Sequence, residues 1–155
     1  MEDNKAKFQE TSIAPMHTAE HLLNQIMVRM FGCERSSNAH IERKKSKISY
    51  HLPTCPSDDV VNDIVNKMNE LIAADLPVCE KFVDISELSE NEIARLPKEH
   101  SGSTVRIVTI GDYDSCPCIG LHVKSTRELG QFVLLGTNWD EEKENFRIRF
   151  KLVTE

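Results

Sequence analysis

Two pairs of metal-ligating side chains, far apart in the chain, limit what this protein can fold into more than any other feature. His17 and His21 lie four residues apart in His17-Thr-Ala-Glu-His21, and Cys118 and His122 have the same spacing in Cys118-Ile-Gly-Leu-His122. Side chains four residues apart share one face of a helix, close enough to bind one ion. Zinc prefers cysteine and histidine, and it usually takes four ligands, or three and a water. In a chain with six histidines and five cysteines, the two pairs together predict a Zn²⁺ site.

Glu20 gives the first pair a second interpretation. The string His17-x-x-Glu20-His21 matches the inverted zinc-protease signature, in which the glutamate acts as general base. Those enzymes need a larger domain and a further carboxylate ligand, whereas the second pair here offers a thiol and an imidazole. We keep Glu20 as a weak candidate base, because a single helix glutamate is ordinarily exposed to solvent.

The length and composition favour one globular domain in the cytoplasm. At 155 residues, with 39% hydrophobic and 28% charged residues, the chain is long enough for a hydrophobic core. The first residues lack the apolar core of a signal peptide, and we expect no membrane span. Five cysteines in such a chain favour reduced thiols over a disulfide framework. We expect residues 1–13 to be a flexible or extended lead-in and residues 14–155 to form the domain.

The net charge of -6 argues against broad, non-specific affinity for nucleic acid, which depends on many contacts between basic side chains and phosphates. Two local basic segments are compatible with a smaller contact. One contains Arg43, Lys44, Lys45 and Lys47, and the other contains Arg147, Arg149 and Lys151.

Apolar residues with helical period predict two main helices. The first should run from about His17 to Phe31, with Pro15 in its first turn and Gly32 as its stop. The second should begin at Ser57 and end at Pro77. A capping box, Ser89-x-x-Glu92, predicts a further short helix through Leu96.

Strand patterns occupy much of the remaining chain. They predict a strand pair or one long strand over residues 39–52, and further strands at Val78–Asp84, Val105–Ile110, Phe132–Leu135 and Phe146–Leu152. The last of these alternates cleanly, as in a sheet with one solvated face. The order predicts an α+β fold, with an antiparallel β-sheet packed against two main helices.

Several motifs resemble the editing domain of alanyl-tRNA synthetase and its freestanding relatives, the AlaX group. The segment His17-Thr-Ala-Glu-His-Leu-Leu23 is similar to that family's H-[ST]-A-x-H-L-L helix. Cys118-Ile-Gly-Leu-His-Val123 is similar to its C-x-G-x-H-V motif, and it follows a matching strand that begins at Val105. Ser125–Phe132 resembles the N-T-x-E-I-G-x-F that comes next. The editing domain of threonyl-tRNA synthetase shares the histidine and cysteine pattern.

The resemblance implies a zinc-dependent hydrolase that acts in trans on tRNA carrying the wrong amino acid, with Ser- or Gly-tRNA(Ala) as the expected substrates. Its zinc ligands would be His17, His21, Cys118 and His122. Cys116 is also present in Cys116-Pro-Cys118, but only Cys118 gives the C-x3-H spacing.

The resemblance also implies a partner, the acceptor end of tRNA, and a pocket that recognises the amino acid. The family places a hydroxyl-bearing residue on the strand after the first helix, where Asn38 aligns here, so the substrate-binding candidates are Asn38, Ser37 and Gln25. The candidates for tRNA contact are Arg43, Lys44, Lys45, Lys47, Lys124 and Arg127.

Two other classes of function stay open at this point. One is a zinc hydrolase of the same fold that acts on a small ester without tRNA. The other is a zinc-stabilised binding module without catalysis. Within the editing class, Ser-tRNA(Thr) is a lesser variant, and the general base and the exact role of zinc are not determined by the sequence.

Overall fold

The first helix carries the histidine pair. In the computed structural model, which describes residues 11–90, 93, 103–118 and 120–154, helix α1 spans Ala14–Phe31. Pro15 lies in its first turn, where a missing N–H costs nothing. Gly32 ends it with a left-handed φ of 69°, a conformation that glycine adopts without steric cost. The predicted helix and both of its boundary signals are therefore confirmed.

The second helix, α2 (Asp58–Ala73), begins as its sequence predicts. The hydroxyl of Ser57 accepts a hydrogen bond from the backbone N–H of Val60, and Asp58 and Asp59 place negative charge in the first turn. The helix ends at Ala73, ahead of Pro77. Its inner face is apolar and buried, with Val61, Ile64, Met68, Leu71 and Ile72.

The described residues contain seven strands. In chain order they are β1 (Asn38–His40), β2 (Ser46–His51), β3 (Val78–Asp84), β4 (Thr104–Ile110), β5 (Asp114–Pro117), β6 (Gln131–Asp140) and β7 (Asn145–Val153). They form two antiparallel sheets: a four-stranded sheet in the order β1-β2-β7-β6 and a three-stranded sheet in the order β3-β4-β5. The α+β class with antiparallel pairing is confirmed, but the strands divide between two sheets.

The core lies between the helices and one face of the four-stranded sheet. Phe146, Ile148 and Phe150 of β7 point into it, and they join the buried apolar side chains of both helices. Full burial of each such side chain contributes about 1.5–3 kcal/mol. The residues between them, Arg147 and Arg149, point to the opposite face, as the alternation predicts.

The remaining differences from the predictions are local. Residues 39–52 form the pair β1 and β2, whereas β5 has no counterpart among the predicted strands. Thr11–Ile13 forms a 3₁₀ turn, and Ile13 is buried in the core. The rest of the predicted lead-in and most of the predicted helix from Ser89 to Leu96 lie outside the described residues. Within the part of the chain that the structure describes, neither helix is both long and apolar enough to cross a membrane.

Candidate metal centre

Four side chains from two segments that are far apart in the sequence meet at one point. One ligand atom from each of His17, His21, Cys118 and His122 lies within 4.8 Å of the others. The sulfur of Cys118 is 3.5 Å from Nε2 of His17 and 3.5 Å from Nε2 of His122. The rings of His17 and His122 are stacked with centroids 4.3 Å apart, and the His21 ring meets both edge-on. The fold therefore brings both sequence pairs together.

The two pairs are presented by different kinds of backbone. His17 and His21 lie on the first turns of α1, and each is only 5% exposed. Cys118 and His122 lie on the loop after β5, so the expectation that their spacing reflects a helix is wrong. Cys118 N–H still donates to the carbonyl of Arg106 on β4, which keeps the chain extended beyond Pro117. The loop then turns through Gly120, whose N–H donates to the Cys118 sulfur, and this turn brings His122 back to the cysteine.

The outer nitrogens of His17 and His122 define which ring atoms face the centre. Nδ1 of His17 lies 3.3 Å from the carbonyl oxygen of Leu121, which can only accept, so this nitrogen carries the hydrogen. The Thr18 hydroxyl donates to the carbonyl of Ala14 and therefore accepts from Nδ1 of His122, at 2.9 Å. Both Nε2 atoms thus direct a lone pair toward the Cys118 sulfur. Second partners of this kind hold metal-ligating imidazoles in the correct tautomer.

A buried ion pair faces the third imidazole. Nδ1 of His21 is 3.6 Å from Oδ2 of Asp114, longer than an ordinary hydrogen bond, and it has no hydrogen-bond partner among the described residues. The side chain of Asp114 is 1% exposed, and Arg35 holds both of its oxygens, at 2.8 and 3.4 Å. The carboxylate is thus fixed behind His21 in the arrangement that aligns a histidine for metal binding.

The pKa values of these groups favour a thiolate at Cys118 and a positive charge at His21, but a neutral imidazole at His122. Burial raises the pKa of the Cys118 thiol, but contacts with His122, His17 and His21 outweigh burial and lower it to about 2. Burial lowers the pKa of His21, whereas contacts with Asp114 and Cys118 raise it to about 10. Burial lowers the pKa of His122 to about 4. A thiolate and a carboxylate therefore hold a cation between them, and a bound metal supplies that charge in place of a proton.

The distances also fit a tetrahedral metal. Zinc binds sulfur at about 2.3 Å and imidazole nitrogen at about 2.0–2.1 Å, so a tetrahedral shell separates the two ligand atoms by about 3.6 Å. The two observed sulfur–nitrogen distances of 3.5 Å agree with this value. The residues present thus fit a metal with Cys and His ligands.

Arg106 fixes the loop that carries Cys118 and His122. One of its terminal nitrogens donates to the carbonyls of Cys118 and Gly120, at 2.8 Å each. Its Nε and its other terminal nitrogen bind the carboxylate of Glu80 on β3. The guanidinium therefore links the loop to two strands of the three-stranded sheet.

Glu20 faces the centre instead of solvent. Its side chain is 15% exposed, and its Oε1 lies 3.7 Å from Nε2 of His17. A carboxylate at this position can accept a proton or bind a cationic group beside the metal ligands.

The predicted substrate-binding residues lie apart from the four ligands. Gln25 donates its amide to the carbonyl of Tyr113, at 2.8 Å. Ser37 and Asn38 are exposed, and they line a cleft of about 420 Å³ that also includes Ser36 and Tyr50. Behind this cleft lies the buried Asn24, one turn beyond His21, whose Oδ1 accepts from the Tyr50 hydroxyl and from Ser36 N–H.

The predicted tRNA-contact residues fall into two places. Lys124 lines a cleft of about 280 Å³ together with His122 and Arg106, and Arg127 is exposed on the following 3₁₀ turn. The others are all exposed, in the connection between β1 and β2 or on β2 itself: Arg43, Lys44, Lys45 and Lys47.

Sequence reasoning missed the residues that support the ligands, namely Thr18, Arg35, Arg106 and Asp114. The sequence around Arg106 contains one indication of a special role, because a lone charge between Val105 and Ile107 is unusual in an apolar strand. No sequence pattern indicates the pair of Asp114 and Arg35, because their pairing depends on how β5 packs beside α1.

Comparison with known proteins agrees with this geometry. Residues 105–149 match the family described as "Threonyl and Alanyl tRNA synthetase second additional domain". The alanyl-tRNA editing protein AlaX-L of Pyrococcus horikoshii is 32% identical over 137 residues, which are 87% of this chain and 32% of that protein. The alanine–tRNA ligase of Streptomyces avermitilis is 32% identical over 127 residues, and that of Leptospira biflexa is 28% identical over 131 residues.

The matching region is a small part of these relatives, because the chain spans 14% of each of the two ligases. The match to the family model covers the strand before Cys118, the Cys118–His122 loop and most of β6 and β7. The longer alignments cover at least 80% of this chain. The chain is therefore similar over most of its length to alanine–tRNA ligases and to an alanyl-tRNA editing protein, and its residues 105–149 match the second additional domain of threonyl- and alanyl-tRNA synthetases.

Proposed function

We propose that this protein is a zinc-dependent deacylase that hydrolyses the ester between tRNA and a wrongly attached amino acid. The observation that carries the proposal is the convergence of His17, His21, Cys118 and His122, in a chain 32% identical to an alanyl-tRNA editing protein. The partner is the acceptor end of a mischarged tRNA, and Ser- and Gly-tRNA(Ala) are the substrates.

The reaction is a hydrolysis that needs no further reactant. Water adds to the ester carbonyl carbon, the bond from that carbon to the ribose oxygen breaks, and the ribose oxygen takes a proton. The products are the free amino acid and uncharged tRNA. When bound, zinc supplies a positive charge that polarises the ester carbonyl or lowers the pKa of a water to about 7.

Glu20 is the side chain best placed to assist the reacting groups. Its carboxylate lies beside His17 and is mostly shielded from solvent, as a general base or a partner for the ammonium group of the amino acid requires. Thr18 and Leu121 hold the imidazoles of His122 and His17, so the ligands need little rearrangement during the reaction.

Discrimination between serine and alanine needs a polar partner for one hydroxyl. Apolar pockets separate such close analogues by only about 10²-fold, whereas a site built to hydrogen-bond a hydroxyl rejects analogues that lack it much more strongly. Asn38 and Ser37 at the cleft beside Tyr50 are candidates for this partner, together with Gln25 if its contact with Tyr113 rearranges.

The test is a deacylation assay on the full chain with Ser-, Gly- and Ala-tRNA(Ala), with zinc content measured in the same preparation. We expect serine or glycine to be released and alanine to be spared. His21→Ala should abolish release and lose zinc, and Glu20→Gln should retain zinc but hydrolyse at least tenfold more slowly.

The controls separate the alternative functions. Release of a small aminoacyl ester, with no release from any tRNA, would replace the proposal with an ester hydrolase. Stoichiometric zinc with no hydrolysis of either substrate class would replace it with a zinc-stabilised binding module.

A further inference from the structure

Two basic segments that are separate in the sequence become neighbours in the four-stranded sheet. Strand β2 pairs with β7 so that Lys47 lies opposite Arg149 and Ser49 opposite Arg147. Strand β1 adds His40 beside Lys47. Directly paired residues of an antiparallel sheet project to the same face. The pairing thus assembles what we term the basic sheet face: His40, Lys47, Arg147, Arg149 and Lys151.

This face is the solvent side of the sheet. The intervening residues Ile48, Ile148 and Phe150 are buried against the helices, whereas Lys47, Arg149 and Lys151 are exposed. Apart from Asp140 at the far end, the other side chains paired into these rows are not acidic, and they include Asn38, Ser49 and Asn138. Within the face, Nε of Arg147 donates to the hydroxyl of the buried Ser49.

The positive charges of this face have no acidic partners among the described residues. None of the five basic side chains forms an ion pair there, and the carboxylate in the paired rows is Asp140, at the far end beside Asn145. The chain as a whole carries a net charge of -6. A local concentration of unpaired cations on an acidic protein is not needed for folding, so it points to an anionic partner.

The spacing suits a row of phosphates. Alternate residues of a strand are about 6.7 Å apart, so Arg147, Arg149 and Lys151 place three cations at regular intervals along β7. A Cβ at Gly136 would lie 2.5 Å from Nη2 of Arg149, so this glycine leaves room for the guanidinium on the sheet. Arginine binds phosphate oxygens in a bidentate manner, which gives such a row geometric as well as electrostatic fit.

We infer that the basic sheet face binds the sugar–phosphate backbone of the tRNA duplex while its acceptor end occupies the metal centre. Proteins recognise double-stranded RNA mainly by shape and by backbone contacts, which a broad polar sheet surface can supply. A membrane partner fits less well, because a single exposed apolar side chain, Val153 at the end of β7, lies in the row of Arg147, Arg149 and Lys151. The inference rests on the proposed function for the identity of the RNA.

The size of the domain limits the distance that one tRNA must bridge between the two surfaces. A folded domain of 155 residues has a radius of gyration of about 15 Å. A tRNA that contacts both the basic sheet face and the metal centre therefore has to span no more than the diameter of such a domain.

The test reverses charge at two paired positions, Lys47→Glu with Arg149→Glu, in the full chain. Binding of uncharged tRNA is measured by fluorescence anisotropy over a range of salt concentrations. We expect Kd to rise at least tenfold. The logarithm of the association constant should also decrease less steeply with the logarithm of the salt concentration, by about 0.9 in slope for each duplex phosphate that the variant no longer binds. The double variant Lys67→Glu with Lys81→Glu makes the same charge change on other elements, and it should leave Kd within threefold.

A second substrate separates this inference from the proposed function. Hydrolysis of a serine ester of the trinucleotide CCA, which has no duplex, should be unchanged in the Lys47/Arg149 variant. A distinct outcome is that the unmodified protein hydrolyses no ester while the charge reversal still weakens tRNA binding. In that case the proposed function is wrong, and the assignment of the basic sheet face as a tRNA-binding surface is retained. The milder double variant, Lys47→Gln with Arg149→Gln, removes the charges without reversing them. Circular dichroism of both variants shows whether weaker binding is caused by a folding defect.

Two results would overturn the inference. One is an unchanged Kd and salt slope for tRNA in both folded variants. The other is unchanged tRNA binding together with abolished binding to phosphatidylserine vesicles, which would assign the basic sheet face to a membrane surface.

Discussion

Cys118, and not its neighbour Cys116, directs its sulfur at the histidines. Cys116 is buried on β5, where its N–H and carbonyl belong to the ladder with Val108. Cys118 lies just beyond the strand, where the chain is free to turn toward α1. The preference for Cys118 that follows from its spacing to His122 thus has a structural reason.

Replacing these two cysteines separately tests which one binds the metal. We expect Cys118→Ala to lose bound zinc, because it removes the thiolate that faces two imidazoles. Cys116→Ala should keep one zinc per chain. Metal content after gel filtration, measured by mass spectrometry, decides between them. Equal zinc content in the two variants would contradict the assignment.

Asp114 lies behind His21, so it would influence a bound metal through this imidazole. Burial raises the pKa of this carboxyl group, but His21 and Arg35 outweigh burial and lower it, so Asp114 is a carboxylate behind the imidazole. A neutral amide at this position would remove the charge that aligns and polarises His21.

Asp114→Asn should therefore weaken zinc binding by about 10–100-fold, the usual cost of losing a partner behind a metal ligand. Competition against a chromophoric chelator measures this affinity. Asp112→Asn makes the same charge change at an exposed residue of the same turn and should bind zinc as the unmodified protein does. Equal affinities in the two variants would show that Asp114 does not support His21.

At the scale of elements, the centre depends on a helix and a loop that are held by different means. Helix α1 is positioned by its apolar face, since Leu22, Leu23 and Ile26 are fully buried. The Cys118–His122 loop depends on hydrogen bonds from Arg106 and with Thr18, and its apolar anchor is the partly buried Val123 at its end. The loop is thus the part of the centre most sensitive to a single polar substitution.

Arg106→Lys tests this dependence without a change of charge. An ammonium group cannot bridge two carbonyls and Glu80 as the guanidinium does, so zinc affinity should fall by roughly tenfold. Hydrogen exchange should increase at Gly120 and His122 while β6 and β7 stay protected. Arg43→Lys, at an exposed site between β1 and β2, is the control. Unchanged exchange at Gly120 would contradict the role given to Arg106.

At the scale of the whole molecule, the candidate metal centre joins two segments that are about a hundred residues apart in the sequence. A ligand that binds only the folded state stabilises it by about 2.7 kcal/mol at one hundred times its Kd. One kcal/mol corresponds to about 2–4 °C in a domain of this size. The fold also has its own core, so removal of the metal should lower stability without unfolding the protein.

When the free zinc concentration is about one hundred times its Kd, removal of zinc by a chelator should therefore lower the melting temperature by about 5–10 °C. Differential scanning calorimetry with defined free zinc measures the shift. His21→Ala should melt at the same temperature with and without the chelator. Superimposable curves for the unmodified protein, with and without zinc, would contradict a metal shared between α1 and the Cys118–His122 loop.

Sequence alone determined the features that depend on nearby residues. Caps and apolar periodicity placed α1 and α2, because Pro15, Gly32 and Ser57 act within one turn of the residues they influence. Local strand patterns placed β3 and β4, and clean alternation placed β7, for the same reason. The metal-ligand pairs were also visible, because each pair is contained in five consecutive residues.

Only the tertiary structure decided what depends on distant pairings. It divided the strands between two sheets, placed Cys118 and His122 on a loop and set Asp114 behind His21. It also merged two basic segments into one face through the register of β2 and β7. These outcomes depend on strand register and on packing between elements. Such contacts join residues far apart in the chain, so the sequence pattern around one residue does not identify the residue that it contacts.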